Sequence, residues 1–169
     1  MTLPVLDTAS FDALLPLAVQ QLGDEDYALR LQRETRLALR VLASPTETPE
    51  DADPMLTRLE AKLDLALEVS LQARHPARPP LTPCRLGLST IAWLSDHPWP
   101  QDSRVLMTLA PNPDSALMLQ LPARVETQQP TPDEGYAITA RLLLNDDDTT
   151  GQLWEKWVFR RHRRAIQER

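Results

Sequence analysis

The side chains best equipped for chemistry are the arginines, sixteen in a chain of 169 residues. Four of them, Arg160, Arg161, Arg163 and Arg164, crowd the C-terminal stretch GQLWEKWVFRRHRRAIQER. A guanidinium fork grips phosphate or carboxylate with two parallel hydrogen bonds, so a basic run behind two tryptophans has the make-up of a nucleic-acid arm. Its spacing says otherwise. Trp154, Trp157, Val158, Arg161 and Ala165 fall on one helical face, and Phe159 and Ile166 widen that arc. The tryptophans are therefore expected to dock a helix, with the arginines in water where late cations suit its dipole. Asp148 or Thr150 is the expected start signal.

Other constellations carry less. Ser89, Asp96 and His97 contain the residue types of a hydrolytic triad, but nothing resembles a nucleophile elbow, and Asp96-His97-Pro98-Trp99 reads as a turn. Asp146-Asp147-Asp148 lacks the alternate spacing and distal glutamate of a calcium loop. Three scattered histidines and one cysteine make no zinc pattern. No glycine-rich phosphate loop occurs. These absences predict a binding module without enzymatic activity, cofactor or metal.

The net charge of −6 and pI near 5.0 give no global field toward nucleic acid or anionic lipid. Cys84 is the only cysteine, so no internal disulfide is possible, and a half-buried strand position is expected for it. The N-terminal MTLPVLDTASF has no signal-peptide pattern, and no apolar run is long enough to span a bilayer. A soluble, cytoplasmic, bacterial protein is expected.

The elements that must hold these residues fall into two regions. Phe11, Leu14, Leu15, Ala18, Val19 and Leu22 follow helical spacing, with Pro16 marking a kink or a start. A second helix over roughly 26–43 turns Tyr27, Leu31, Ala38, Val41 and Leu42 inward, and an acidic, proline-rich loop covers 44–54. Asp53-Pro54 is a cap followed by a first-turn proline. Beyond it Leu56, Leu59, Leu63, Ala66 and Ser70 repeat at 3-4-3-4, the seam of a coiled coil. Leu65 and Val69 lie off that stripe, and a helix apolar on two sides needs two partners. Its own subunit's core is the partner expected for Leu65 and Val69. After ARHPARPPLTP the period drops to two, over 85–94, 104–109, 117–125 and 136–144, with turn formers between. That is at least four antiparallel strands in a small barrel or meander. Trp93 and Trp99 flank one turn and are expected in the core. The division expected is a helical oligomerisation region over 1–73 and a barrel with its C-terminal helix over 74–169.

The order LGLSTIAWL, VLMTL, ARV, YAITARL and then LWEKWVFRRHRR resembles the PilZ domain, a small bacterial β-barrel associated with cyclic di-GMP signalling. The resemblance covers about Thr82 to Arg169. The leading helices with their seam are similar to the atypical, tetramer-forming branch, in which a long helix from each subunit joins a coiled coil. It implies an α+β fold, with an antiparallel barrel preceded by helices and closed by a C-terminal helix. It also implies a homo-oligomer, tetramer before dimer, that contacts signalling or motility proteins.

The resemblance also names nucleotide-binding candidates. Members that bind cyclic di-GMP carry R-x-x-x-R before the barrel, which Arg74 and Arg78 match, and [D/N]-x-S-x-x-G on a strand, of which Ser89 alone survives. Gly87 stands at the acceptor position and Ala92 at the closing glycine. Arg36/Arg40 and Arg160/Arg164 match the first motif equally well. Only nine residues separate Arg78 from Gly87, too few for the strand that binding members place there. High-affinity cyclic di-GMP binding through this motif is therefore not expected. Two alternatives stand beside this reading: a cyclic di-GMP receptor of unorthodox geometry, and a nucleic-acid binder using the basic helix. The second lacks interleaved stacking aromatics on its strands.

Overall fold

The computed structural model describes residues 3–23, 29–43, 53–132, 135–144 and 149–167. Alternation drives its architecture. Strands β1 (Ser10–Gln21), β2 (Leu81–Gly87), β3 (Thr90–Ser95), β4 (Arg104–Leu109), β5 (Leu119–Pro130) and β6 (Tyr136–Leu142) close into an antiparallel barrel of order β1-β2-β3-β6-β5-β4. Leu86, Ile91, Val105, Met107, Leu121, Val125 and Ile138 fill its interior. Trp93 and Trp99 join that core. Cys84 is fully buried rather than half-buried, and burial pushes its thiol up to about 12.

Residues 11–22 are a strand, not a helix. Phe11, Ala13, Leu15, Leu17 and Val19 point inward at period two, and the helical spacing is a coincidence of their outward neighbours. Pro16 decides the matter. Inside a helix it would cost about 3 kcal/mol. Here β1 changes partners at that residue, from β2 up to Pro16 to β4 from Leu17 onward, so the missing amide is not needed. The barrel therefore takes one strand from before residue 74. The stretch 85–94 is likewise not one strand but the β2–β3 hairpin, turning at Leu88-Ser89. A strand thus does fit between Arg78 and Ser89.

Three helices complete the chain: α1 (Leu29–Ala43), α2 (Pro54–Arg74) and α3 (Thr149–Gln167). Helix α1 lies against β5 and α3. Leu39 and Ala38 are buried there, whereas Val41 is exposed. The buried Thr35 hydroxyl donates to Gln120 O at 3.1 Å and accepts from Gln120 N at 3.0 Å, clamping α1 onto a strand edge. Tyr27, most of the 44–54 loop and Asp146–Asp148 lie outside the described residues.

Helix α2 starts as its sequence predicts. Asp53 Oδ1 accepts from Met55 N at 2.8 Å, and Pro54 opens the first turn. Yet it buries no residue, and every position from Asp53 to Leu67 is exposed. Only its last turns meet the body. Arg74 approaches Glu34 of α1 at 3.7 Å, and Glu68 accepts from Ser115 Oγ and Ala116 N at 2.8 and 2.7 Å. Leu67 and Leu71 share a groove with Leu37 and Val41. Leu65 and Val69 do not reach the subunit's own core, since the face that touches α1 is the one carrying Leu67, Glu68 and Leu71.

Candidate functional site

The strand position that the PilZ resemblance singles out sits where β2 ends, and it is filled from two sides. A Cβ added at Gly87 would lie 2.9 Å from Thr90 O, 2.9 Å from Leu6 Cδ1 and 3.1 Å from Thr8 Oγ1. No side chain fits there without moving backbone. Residues 3–8 are strapped across this end of the barrel by Arg85. Its Nη1 donates to Pro4 O at 2.8 Å and to Leu3 O at 3.3 Å. Its Nε and Nη2 grip both carboxylate oxygens of Asp12 at 2.6 and 2.9 Å. That bidentate pairing holds the guanidinium above its ordinary pKa.

The second filler is α3. Trp154 is fully buried, and its Nε1 donates to Gly87 O at 3.2 Å. Trp157 stacks 5.2 Å from Trp154, and its ring meets Phe11 of β1 edge-on at 5.7 Å. The polar groups of the basic run bind inward as well. Arg160 Nη2 donates to Leu42 O at 2.9 Å, near the C-terminal end of α1. Arg161 lies 5.6 Å over the Phe11 ring, and His162 Nδ1 is 2.6 Å from Ser10 O. The helix is docked, as its spacing predicts, although Phe159 and Ile166 stay exposed.

Arg78 and Ser89 are not brought together. Arg78 donates to Pro113 O, in the turn after β4. Ser89 is exposed in the hairpin turn, where its carbonyl accepts from Leu142 N at 2.8 Å. These positions flank opposite ends of β2, and seven residues of strand span about 20 Å. Arg74 sits on the last turn of α2 beside Glu34. Ser89, Asp96 and His97 form no triad: Ser89 lies in the β2–β3 turn, and Ser95 bonds only the His97 backbone, its hydroxyl donating to His97 O at 2.7 Å and accepting from His97 N at 3.3 Å. Among the described residues no cluster of His, Cys, Asp or Glu is placed to hold a metal.

The chain superposes on the crystal structure of a pathogenic protein from Xanthomonas campestris, a tetrameric PilZ domain self-assembled through an unusual helical bundle. The match has a TM-score of 0.72 at 24% identity and covers 96% of this chain and 93% of that one. The fold is that of a PilZ domain. No family model and no curated protein matches the chain. In this PilZ fold the glycine at residue 87 is a packing requirement. The β2 terminus is where the N-terminal strap and Trp154 seal the barrel.

A carboxylate placed at residue 87 is therefore not expected to create a binding site. Gly87→Asp is expected to cost about 3 kcal/mol or more, from overpacking and a carboxylate facing a sealed contact, and to gain no affinity for cyclic di-GMP. Thermal melting with calorimetry checks both halves. A variant that melts like the parent would show that the strap and Trp154 do not close this position.

Proposed function

We propose that this chain is a non-enzymatic regulatory module of cyclic di-GMP signalling. It assembles as a homotetramer through α2 and acts by contacting other proteins. One observation carries the reading: α2 is 21 residues long, buries none of them, and holds seven of the fourteen exposed large apolar side chains among the described residues. A helix that meets its own fold only at its last turns is marginal in water. The seam Leu56, Leu59, Leu63, Ala66 and Ser70 is free to receive other copies, and Leu65 and Val69 add a second apolar side. The Xanthomonas protein, with its helical bundle, supports the same use of this element. Its description as pathogenic supports placing this chain in virulence, biofilm or motility control in the bacterial cytoplasm. No helix among the described residues is long and apolar enough to cross a membrane.

The closed position at Gly87 and the separation of Arg78 from Ser89 support the absence of high-affinity cyclic di-GMP binding. The test is calorimetry with cyclic di-GMP on a sample whose mass has been measured by light scattering. A tetramer that binds no tighter than about 10 μM, or about −7 kcal/mol, is the expected result. A sub-micromolar dissociation constant lost on Arg78→Ala would make the protein a receptor instead.

A further inference from the structure

A cleft of about 410 Å³ lies between α1, α3 and the turn after β4, within the size range of ligand pockets. Its walls are apolar: Val41 and Leu42 of α1, Pro111 and Pro113 of the turn, and the edge of Trp157 line it. Its rim is cationic, made of Arg160, Arg161 and Arg164. In a protein of net charge −6 this is a local inversion of sign. Among the described residues Asp114 is the only acidic side chain lining the cleft. Arg160 and Arg161 are held in place by Leu42 O and Phe11, and Arg164 has no ion pair among the described residues.

We infer that this cleft docks an acidic, extended segment of a partner protein, in which carboxylate side chains alternate with apolar ones. This rests on the protein-contacting role proposed above and names the chemistry of the contact. Arg160 and Arg164 are four apart on α3 and share a face, which sets them about 6 Å apart along the axis. Alternate side chains of an extended peptide repeat at nearly that distance, about 6.6 Å. Two carboxylates on one edge of such a peptide therefore meet Arg160 and Arg164 together. The residues between them turn toward Val41, Leu42 and the two prolines. Paired guanidinium–carboxylate contacts beside a low-dielectric wall are the strong kind. A bare phosphate would leave that wall unused, and Trp157 is too buried to offer a stacking face to a base.

The experiment is fluorescence anisotropy of the full chain with a short labelled peptide alternating glutamate and valine. Binding that weakens as salt rises and vanishes for the glutamine-for-glutamate peptide is expected. Arg164→Glu is expected to weaken it about tenfold or more, about 1.4 kcal/mol, with the melting temperature unchanged. Asp114→Asn is expected to strengthen it. Equal binding by the parent and Arg164→Glu overturns the inference. So does capture of single-stranded RNA or pyrophosphate in place of the peptide, which would make the cleft a phosphate site. The chain's own residues 44–52 follow α1 directly and include Glu47, Glu50 and Asp51. If Glu47→Gln, Glu50→Gln and Asp51→Asn together raise peptide affinity more than tenfold, that segment is the occupant and a partner protein is not. A chain that binds neither peptide nor cyclic di-GMP refutes this inference alone; one that binds cyclic di-GMP tightly refutes the function proposed above.

Discussion

Replacing Trp154 by alanine is expected to destabilise the barrel by about 3–5 kcal/mol, the cost of emptying a fully buried aromatic site. Trp154 has no exposed surface, and it is the residue through which α3 reaches the end of β2. Its loss removes packing against Trp157 and leaves Gly87 O without its donor. In a chain of this size each kcal/mol moves the midpoint roughly 2–4 °C, so melting should fall by about 10 °C. Trp154→Phe separates the two contributions. It keeps most of the ring and forfeits the hydrogen bond, so about 1–2 kcal/mol of the loss should remain. Thermal or urea unfolding followed by circular dichroism gives both values. An unchanged midpoint for Trp154→Ala would mean that α3 is a detached basic arm and that the barrel is closed without it.

What the sequence discloses, and what it hides, follows from how far each interaction reaches along the chain. Strands β4 to β6 are legible because Val105, Met107 and Leu109, and likewise Leu119, Leu121 and Ala123, alternate without interruption. The start of α2 is legible because Asp53 and Pro54 act on the turn they occupy. Strand β1 is hidden because leucines and alanines fill both its faces, so period two and period 3.6 fit together. Only Pro16 argues against the helix, and its place in a strand depends on a change of partner that sequence does not display. The β2–β3 turn is hidden because Leu88-Ser89 carries only a serine, the weakest of the turn formers, inside an apolar run.

The candidate site divides along the same line. That residue 87 lacks an acceptor is plain from its identity. That Leu6, Thr8 and Trp154 converge on it is not, because each lies more than sixty residues from it in sequence. The seam on α2 is visible as spacing. The face that touches α1 is not, since Leu65, Leu67, Val69 and Leu71 are equally apolar, and only the contacts to Glu34 and Ser115 single out the side of Leu67, Glu68 and Leu71.

Leu63→Asp is expected to convert the assembled protein to monomers while leaving the barrel's β signal intact. Leu63 lies mid-seam on a helix about 31 Å long and touches nothing that closes the barrel, so the fold does not depend on it. In the assembly it would face the same stripe of other copies. An unpaired carboxylate buried there costs several kcal/mol, more than the roughly 1.5–3 kcal/mol gained by burying each leucine beside it. Leu59→Asp is expected to act alike. Leu65→Asp distinguishes a tetramer from a dimer. A two-stranded coil uses one stripe, whereas each helix of a four-helix bundle touches two neighbours and needs a wider apolar arc. Leu65 and Val69 supply that second side, both being more than half exposed in the single chain at 66% and 58%. Leu65→Asp should therefore stop at dimers while Leu63→Asp goes to monomers, as read by light scattering at tens of micromolar. A parent protein that is monomeric at that concentration would sink the assembly outright. A Leu63→Asp variant that keeps the parent's mass would move the interface to the side of Leu65 and Val69.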